Sequence, residues 1–374
     1  MKPATTTLSL LVASFACLGT VTVIDSVAGN SIKAAPYFMP LDNDPQSIDD
    51  IVAHSGIRHF IFAFALATNG GQCLPVWDGA KGQPVAEDTR VLEMVRKVRA
   101  HGGDISISFG GYNGVELGHA CHSVEELAKS YQLVIDKYQL THVDFDIEGD
   151  DLGPEEEENR RFQAIQILKR NSKAAGKELH VTLTLPCTTV GLSLLGKDEI
   201  KRAIAVQPDL IDLYKIMAFD YGGQGASMAA DVEHIMEMVH EQLKTLRTDL
   251  KSDAEVYAAT GMILMNGHTD QAFELFTLDT FSKLLEYAQA KKLGRLSYWS
   301  LNRDRPCPEG KTLGWAAGIC SSIPQQPWEF TKIIAKFDPS NGNPNHQTDA
   351  PRTTPTDTPT VTTAHSSNTN TESP

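Results

Sequence analysis

The feature that most constrains this chain is an alternation of type: short apolar runs and amphipathic stretches follow one another from about residue 34 to residue 301. Runs suited to strands cover 34–39, 59–66, 105–109, 142–148, 180–185, 213–219, 256–264 and 296–301. Between them, apolar residues at three- and four-residue steps predict helices over 88–100, 123–137, 155–175, 231–245 and 279–291. Ser123 and Glu126 supply a capping signature for the second of these. Repeated strand–helix units call for a parallel sheet with helices outside it, and eight of them close naturally into a (β/α)8 TIM barrel. An open doubly wound sheet is the alternative, but no Gly-x-Gly-x-x-Gly follows the first strand. In a barrel the chemistry gathers at the C-terminal ends of the strands, so polar residues that end an apolar strand become the candidates.

The two ends read differently. Lys2, an uncharged apolar stretch from Leu8 to Val21 and small residues from Ser26 to Gly29 form a secretory leader over 1–29. The stretch holds roughly 14 residues against the ~20 that a membrane helix needs, although a retained anchor is the alternative. No later segment is apolar enough to cross a bilayer, so no membrane is expected after leader removal, and the localisation is extracellular. From Asp338 the chain turns to Thr, Pro, Ser, Asn and Asp, which cannot bury enough apolar area to offset ordering, so 338–374 should be a disordered tail. Its Thr–Pro clusters suit either an O-glycosylated stalk or a bare linker. The folded unit is therefore expected over 30–337, as a monomer. A formal net charge of -14 argues against a nucleic-acid partner. Export favours cysteine pairing. Cys307 with Cys320 and Cys73 with Cys121 are the expected disulfides, leaving Cys187 free.

One strand stands apart. In His142-Val143-Asp144-Phe145-Asp146-Ile147-Glu148-Gly149 the acidic residues alternate with apolar ones, so Asp144, Asp146 and Glu148 share one face. Neighbours in that row lie about 7 Å apart along the strand. Like charges so close, pointing into a barrel, do not all ionise, so at least one should hold a proton near neutral pH. Proton-transfer chemistry needs such an arrangement, and a core gains nothing from it. The other readings are an exposed acidic edge or a metal site. Phe145 and Ile147 oppose the edge, and His142 alone is poor support for a metal, so no metal and no cofactor are expected.

Asp144-Phe145-Asp146-Ile147-Glu148 resembles the Asp-x-Asp-x-Glu core of glycoside hydrolase family 18, the chitinases and their relatives. Ser108-Phe109-Gly110-Gly111 resembles the family's third-strand Ser-x-Gly-Gly, and Met217-Ala218-Phe219-Asp220-Tyr221 its sixth-strand Met-x-x-Asp-Tyr. Tyr298-Trp299-Ser300-Leu301-Asn302-Arg303-Asp304 resembles the eighth-strand Trp segment of a bacterial chitinase D-like subgroup. One departure is Thr141-His142, where many members carry Asp-Gly.

The resemblance implies a glycosidase acting on chitin or chito-oligosaccharides by substrate-assisted, retaining hydrolysis. Glu148 would protonate the leaving oxygen, Asp146 would hydrogen-bond the acetamido N–H, and Asp144 would tune Asp146 by repulsion and by sharing a proton. Tyr221 would hold the acetamido carbonyl, Asp220 a sugar hydroxyl or amide, and Trp299 would floor the pocket that Met217 lines. Packing is the alternative for both Met217 and Trp299. Tyr37 and Trp77 serve equally as sugar platforms or as packing. Ser108 and Gly110 are expected to leave room for the acidic row, and Asn302, Arg303 and Asp304 to form a salt-bridged loop. A short connection over 265–276 predicts a shallow, open groove and endo-type cleavage. A lectin-like binder and an endo-β-N-acetylglucosaminidase acting on N-glycans share these motifs.

Overall fold

The computed structural model describes residues 32–78, 83–223, 227–308 and 314–342. The expected leader over 1–29 and the tail beyond residue 342 lie outside the described residues.

Eight parallel strands form the barrel: β1 (Tyr37–Phe38), β2 (His59–Leu66), β3 (Asp104–Gly110), β4 (His142–Asp146), β5 (His180–Thr188), β6 (Leu213–Met217), β7 (Thr260–Met265) and β8 (Arg295–Trp299). They pair in chain order. A parallel bridge between Ala34 and Leu296, with the Leu296 N–H donating to the Lys33 carbonyl at 2.8 Å, joins the last strand to the first. The helical ring is α1 (Ile48–Ser55), α2 (Arg90–Ala100), α3 (Val124–Tyr138), α4 (Glu155–Ala174), α5 (Leu194–Val206), α6 (Met228–Leu246), α7 (Leu278–Lys291) and α8 (Glu329–Ala335). This is the (β/α)8 architecture that the alternation called for.

Local chemistry sets the helix ends. Ser123 caps α3 by accepting from the Glu126 N–H, and α4 opens with Glu155, Glu156, Glu157 and Glu158, whose charges oppose the positive end of its dipole. Three helices, α1, α5 and α8, were not among the expected ones. The run expected as a strand over 256–264 divides: Asp253–Ala258 is a helical turn with a Ser252/Glu255 capping box, and the strand begins only at Thr260. At the far end the folded unit continues past Phe337, because Asp338 and Asn341 are buried and Asn341 donates to the Ala335 carbonyl.

Two apolar layers result from strand alternation. Phe60, Phe62, Val143, Phe145, Ile147, Leu183 and Ile216 face outward into the layer beneath the helices. Ile61, Ala63, Leu66, Met217 and Ile263 face inward with Tyr37 and Phe64. The interior is therefore divided. Its β1, β2, β6 and β7 side is largely apolar, whereas β3, β4 and β5 contribute the buried polar residues Ser108, Asp144, Asp146, Thr182 and Thr184. The acidic row rises along the boundary.

Disulfides Cys73–Cys121 and Cys307–Cys320 are formed and Cys187 is free. The first joins the loops after β2 and β3, and the second closes the loop after β8. Both brace the face where the strands end.

Candidate active site

The row begins deep in the barrel. Asp144 is fully buried, and its Oδ2 accepts from the Tyr37 hydroxyl and from Ser108 Oγ, each at 2.7 Å. Its Oδ1 accepts from Thr184 Oγ1 at 2.8 Å and lies 3.2 Å from Lys215 Nζ. Its two oxygens thus accept three hydrogen bonds and lie against one buried ammonium group.

Asp146, one step higher, has the opposite environment. It is buried, and its Oδ1 has no hydrogen-bond partner. Burial pushes its carboxyl well above the ordinary range, and the charges of Glu148 and Asp144 add to the rise against the pull of Lys215. Gly110 explains how the strand fits here: at φ 98°, any Cβ on it would sit 2.2 Å from the Asp146 carbonyl oxygen. Ser108 does more than leave room, since it donates to Asp144.

Glu148 lies just past β4 at the start of a short turn, Gly149–Asp151, and is partly exposed. Its flanking Ile147 is buried in the outer apolar layer, so alternation turns Glu148 to the interior side. No hydrogen bond or ion pair holds its carboxylate among the described residues. Burial raises it to about 7, helped by the charges of Asp220, Asp151 and Asp270. An acid half-protonated near neutrality can give and retake a proton.

The loop after β6 supplies the next pair. Asp220 adopts φ 55°, and its side chain is pushed up mainly by burial, with Asp270 and Glu274 adding to the rise. Its Oδ1 is buried without a partner. The Tyr221 hydroxyl donates to Met228 Sδ at 3.8 Å, its one hydrogen bond among the described residues. The residue that holds this loop was not foreseen. Glu274, fully buried, accepts from the N–H groups of Asp220 at 2.7 Å, Gly222 at 2.9 Å and Gly223 at 3.2 Å. It comes from the connection after β7, where Gly267–His268 pairs with Leu275–Phe276.

Aromatic residues separate into two groups. Trp299 is partly exposed at the end of β8 and stacks on Phe64 with ring centroids 5.5 Å apart, leaving a surface available to a ligand. Met217 is buried in the inner apolar cluster beside it. Tyr37, expected as a substrate-binding residue, is corrected: at 1% exposure it cannot touch a ligand, and it works instead as a donor to Asp144. Trp77 is likewise internal, its indole donating to the Tyr138 hydroxyl at 2.7 Å.

The salt-bridged loop expected at 302–304 is also corrected. Asn302 ties the loop after β1, accepting from the Met39 N–H and donating to the Met39 and Asp42 carbonyls. Asp304 collects donors from Thr331, Gln325, Phe330 and Tyr298. Neither forms an ion pair with Arg303. Thr141-His142, the departure at the start of β4, sits at the opposite barrel end, where His142 stacks on His180 and burial holds its imidazole down at about 2, hence neutral.

As for metals, His119, Asp151 and Glu157 bring ligand-type atoms within 4.8 Å of one another on the rim. His119 Nδ1 already lies 2.9 Å from Glu157 Oε1, and that hydrogen-bonded pair accounts for the grouping.

A parallel (β/α)8 barrel with an acid of near-neutral pKa at the end of its fourth strand, above one bare and one donor-filled carboxylate, falls in the class of barrel glycoside hydrolases. Within it, this chain belongs to the glycosyl hydrolases family 18, whose family model matches residues 33–262. It is similar to the probable bifunctional chitinase/lysozyme of Escherichia coli strain K12, 31% identical over 315 residues, covering 81% of this chain and 34% of that protein. It is also similar to endochitinase 11 of Metarhizium anisopliae, 29% identical over 281 residues, covering 73% of this chain and 52% of that protein. The chain thus spans between a third and about half of these relatives' lengths. Among solved structures, active domain 2 of the thermostable chitinase of Pyrococcus furiosus, in complex with chito-oligosaccharides, superposes with TM-score 0.70 at 28% identity, covering 82% of this chain and 94% of that one.

Proposed function

We propose that this protein is a secreted, monomeric chitinase that cleaves β-1,4 linkages between N-acetylglucosamine units inside chitin chains, with retention at the anomeric carbon. The observation that carries the reading is the contrast along one strand: Glu148 raised to about 7 without a partner, and Asp146 presenting a bare, buried Oδ1.

The chemistry follows from these groups. Protonated Glu148 gives its proton to the glycosidic oxygen as the bond to the anomeric carbon breaks. No enzyme carboxylate attacks. The oxygen of the sugar's own acetamido group forms the new bond, with the advantage of an intramolecular reaction. The cation that results carries an N–H, which the unoccupied Oδ1 of Asp146 accepts. Water deprotonated by Glu148 then opens the ring from the same face, so configuration is retained. Tyr221 and Asp220 orient the acetamido group and a hydroxyl, and the Trp299 ring supports the apolar face of the sugar. The short hairpin after β7 adds no wall to the groove, which favours endo-action, and the leader pattern with two disulfides suits export.

The test incubates the purified protein with chito-oligosaccharides and cello-oligosaccharides, follows products by mass spectrometry and reads the first-formed anomer by proton NMR. Internal cleavage of the former alone, with β-anomer first, is expected. Intact chito-oligosaccharides, or an α-anomer product, would overturn the proposal.

A further inference from the structure

Beneath the acidic row lies a buried cation that the proton-transfer chemistry leaves unused. Strand register brings Gly110, Asp146, Thr184, Lys215, Gly261 and Arg295 into one continuous line of neighbours across β3 to β8. Gly261, between the two basic residues, is what makes space for them: a Cβ there would meet Lys215 Cγ at 3.1 Å and Arg295 Cβ at 3.3 Å. Lys215 is fully buried, its Nζ lies 4.3 Å from the centre of the Tyr37 ring, and its one ion-pair partner among the described residues is Asp144. Burying an ammonium ion without a counter-charge is strongly unfavourable, so Lys215 and Asp144 depend on each other.

We infer that Lys215 is a positioning residue that holds Asp144 permanently ionised, so that the proton taken up by the paired aspartates resides on Asp146 alone. The inference rests on the chitinase reading for its consequence, though not for its test. Three hydroxyls donate to Asp144, those of Tyr37 from β1, Ser108 from β3 and Thr184 from β5, and Lys215 from β6 adds a positive charge, its Nζ 3.2 Å from Oδ1. The remaining charged groups facing Lys215 are Asp146 on β4 and Arg295 on β8. Arg295 spends its guanidinium elsewhere, donating to the Ile32 carbonyl at 2.8 Å and to Thr182 Oγ1 at 2.9 Å, so it does not replace Lys215 at Asp144. Burial lowers the Lys215 ammonium to about 8 against the pull of Asp144, which keeps it charged at neutral pH. With Asp144 fixed as an anion, Asp146 has no proton to take from below, and its Oδ1 remains without a partner in the protein among the described residues.

The experiment is a carboxyl-carbon NMR titration of aspartate-labelled protein, with the Asp144 signal assigned through Asp144→Asn. In the wild-type protein the Asp144 carbon should keep its ionised shift from pH 4.5 to pH 7.5. In Lys215→Met the Asp144/Asp146 pair should gain a proton at a pH at least about one unit higher, the effect of losing an adjacent opposite charge. The acid limb of kcat/KM should move up by the same amount, and Lys215→Arg should restore both. A merely structural lysine would lower activity or stability and leave those midpoints in place. Wild-type Asp144 found protonated in that range, or midpoints unmoved in Lys215→Met, would overturn the inference. Were Lys215→Met not to fold, the wild-type titration and Lys215→Arg still decide it. A protein inert on chitin would sink the functional proposal and leave this titration standing.

Discussion

Acidic clusters lie on both faces of the fourth βα unit, and they differ in whether a cation is built in against the carboxylates. On the helical side, Glu116, Arg161 and Glu199 are fully buried, with Arg161 Nη2 3.2 Å from Glu116 and Nη1 2.8 Å from Glu199, whose Oε2 is left without a donor but beside that cation. Glu116 gathers further donors from the Tyr131 hydroxyl and the Gly118 N–H. On the barrel side, Asp144 has donors and a cation in the same way, but Asp146 keeps a bare oxygen and Glu148 has no partner among the described residues. Carboxylates matched with donors hold structure. Carboxylates left short of donors cost stability and are kept where protons must move.

The largest effect should come from the unmatched end of that contrast. Glu148→Gln keeps the shape and removes the proton, so turnover of chito-oligosaccharides should fall at least ~100-fold; near-normal turnover would break the comparison. The same substitution has a signed effect on stability. Glu148 titrates at about 7 in the folded protein against an ordinary 4.5, so folding takes up a proton between those values. Stability is then undiminished below pH 4.5 and lost as the pH rises through 7. Gln does not titrate, so unfolding in urea above pH 7 should show the variant more stable than wild type by up to about 3 kcal/mol, and less so at pH 5. An equal difference at both pH values would show that burial, not ionisation, sets the cost.

The matched cluster should respond in reverse. Arg161→Met leaves Glu116 and Glu199 buried without their cation, and burial already pushes Glu199 up to about 8 against the pull of Arg161. The expected loss is about 3–5 kcal/mol of unfolding free energy. The pH dependence of kcat/KM should not move, because none of these groups touches the row. A shifted profile would mean that the two faces are electrically linked through Asp151, which feels both Glu116 and Arg161.

How far this was visible in the sequence depends on the range of the forces involved. Alternation along β4 is local, so the shared face of Asp144, Asp146 and Glu148 could be read directly, as could most strands, whereas the two disulfides were expected but needed the structure to pair them. The run at 256–264 misled because Val256, Tyr257 and Ala258 are apolar enough for a strand, while the Ser252/Glu255 capping box winds them into a helical turn. Helix α5 was hidden by Gly196 in its first turn. The partners that set each carboxylate's state come from other strands, and no spacing encodes them. Lys215 shares a face with Met217 two residues on, so its inward direction could have been inferred, but its pairing with Asp144 depends on register between β4, β5 and β6.

Glu274 gives the comparison its sharpest and smallest test, since it is matched like Glu116 yet holds a loop of the site. Its Oε2 accepts from the Asp220 N–H and Thr269 Oγ1, and its Oε1 from the Gly222 and Gly223 N–H groups. Glu274→Gln preserves one acceptor oxygen and turns an NH2 group towards at least one backbone N–H, whichever way the amide lies, so one or two hydrogen bonds are lost. The loss should be about 1–2 kcal/mol, shared between unfolding and the order of the loop that carries Asp220 and Tyr221. If matched carboxylates only hold structure, KM for chito-oligosaccharides should rise several-fold while kcat and its pH limbs stay close to wild type, because Glu148 and Asp146 are untouched. A fall in kcat as large as that of Glu148→Gln would place Glu274 among the proton-handling groups and erase the distinction between filled and unfilled carboxylates.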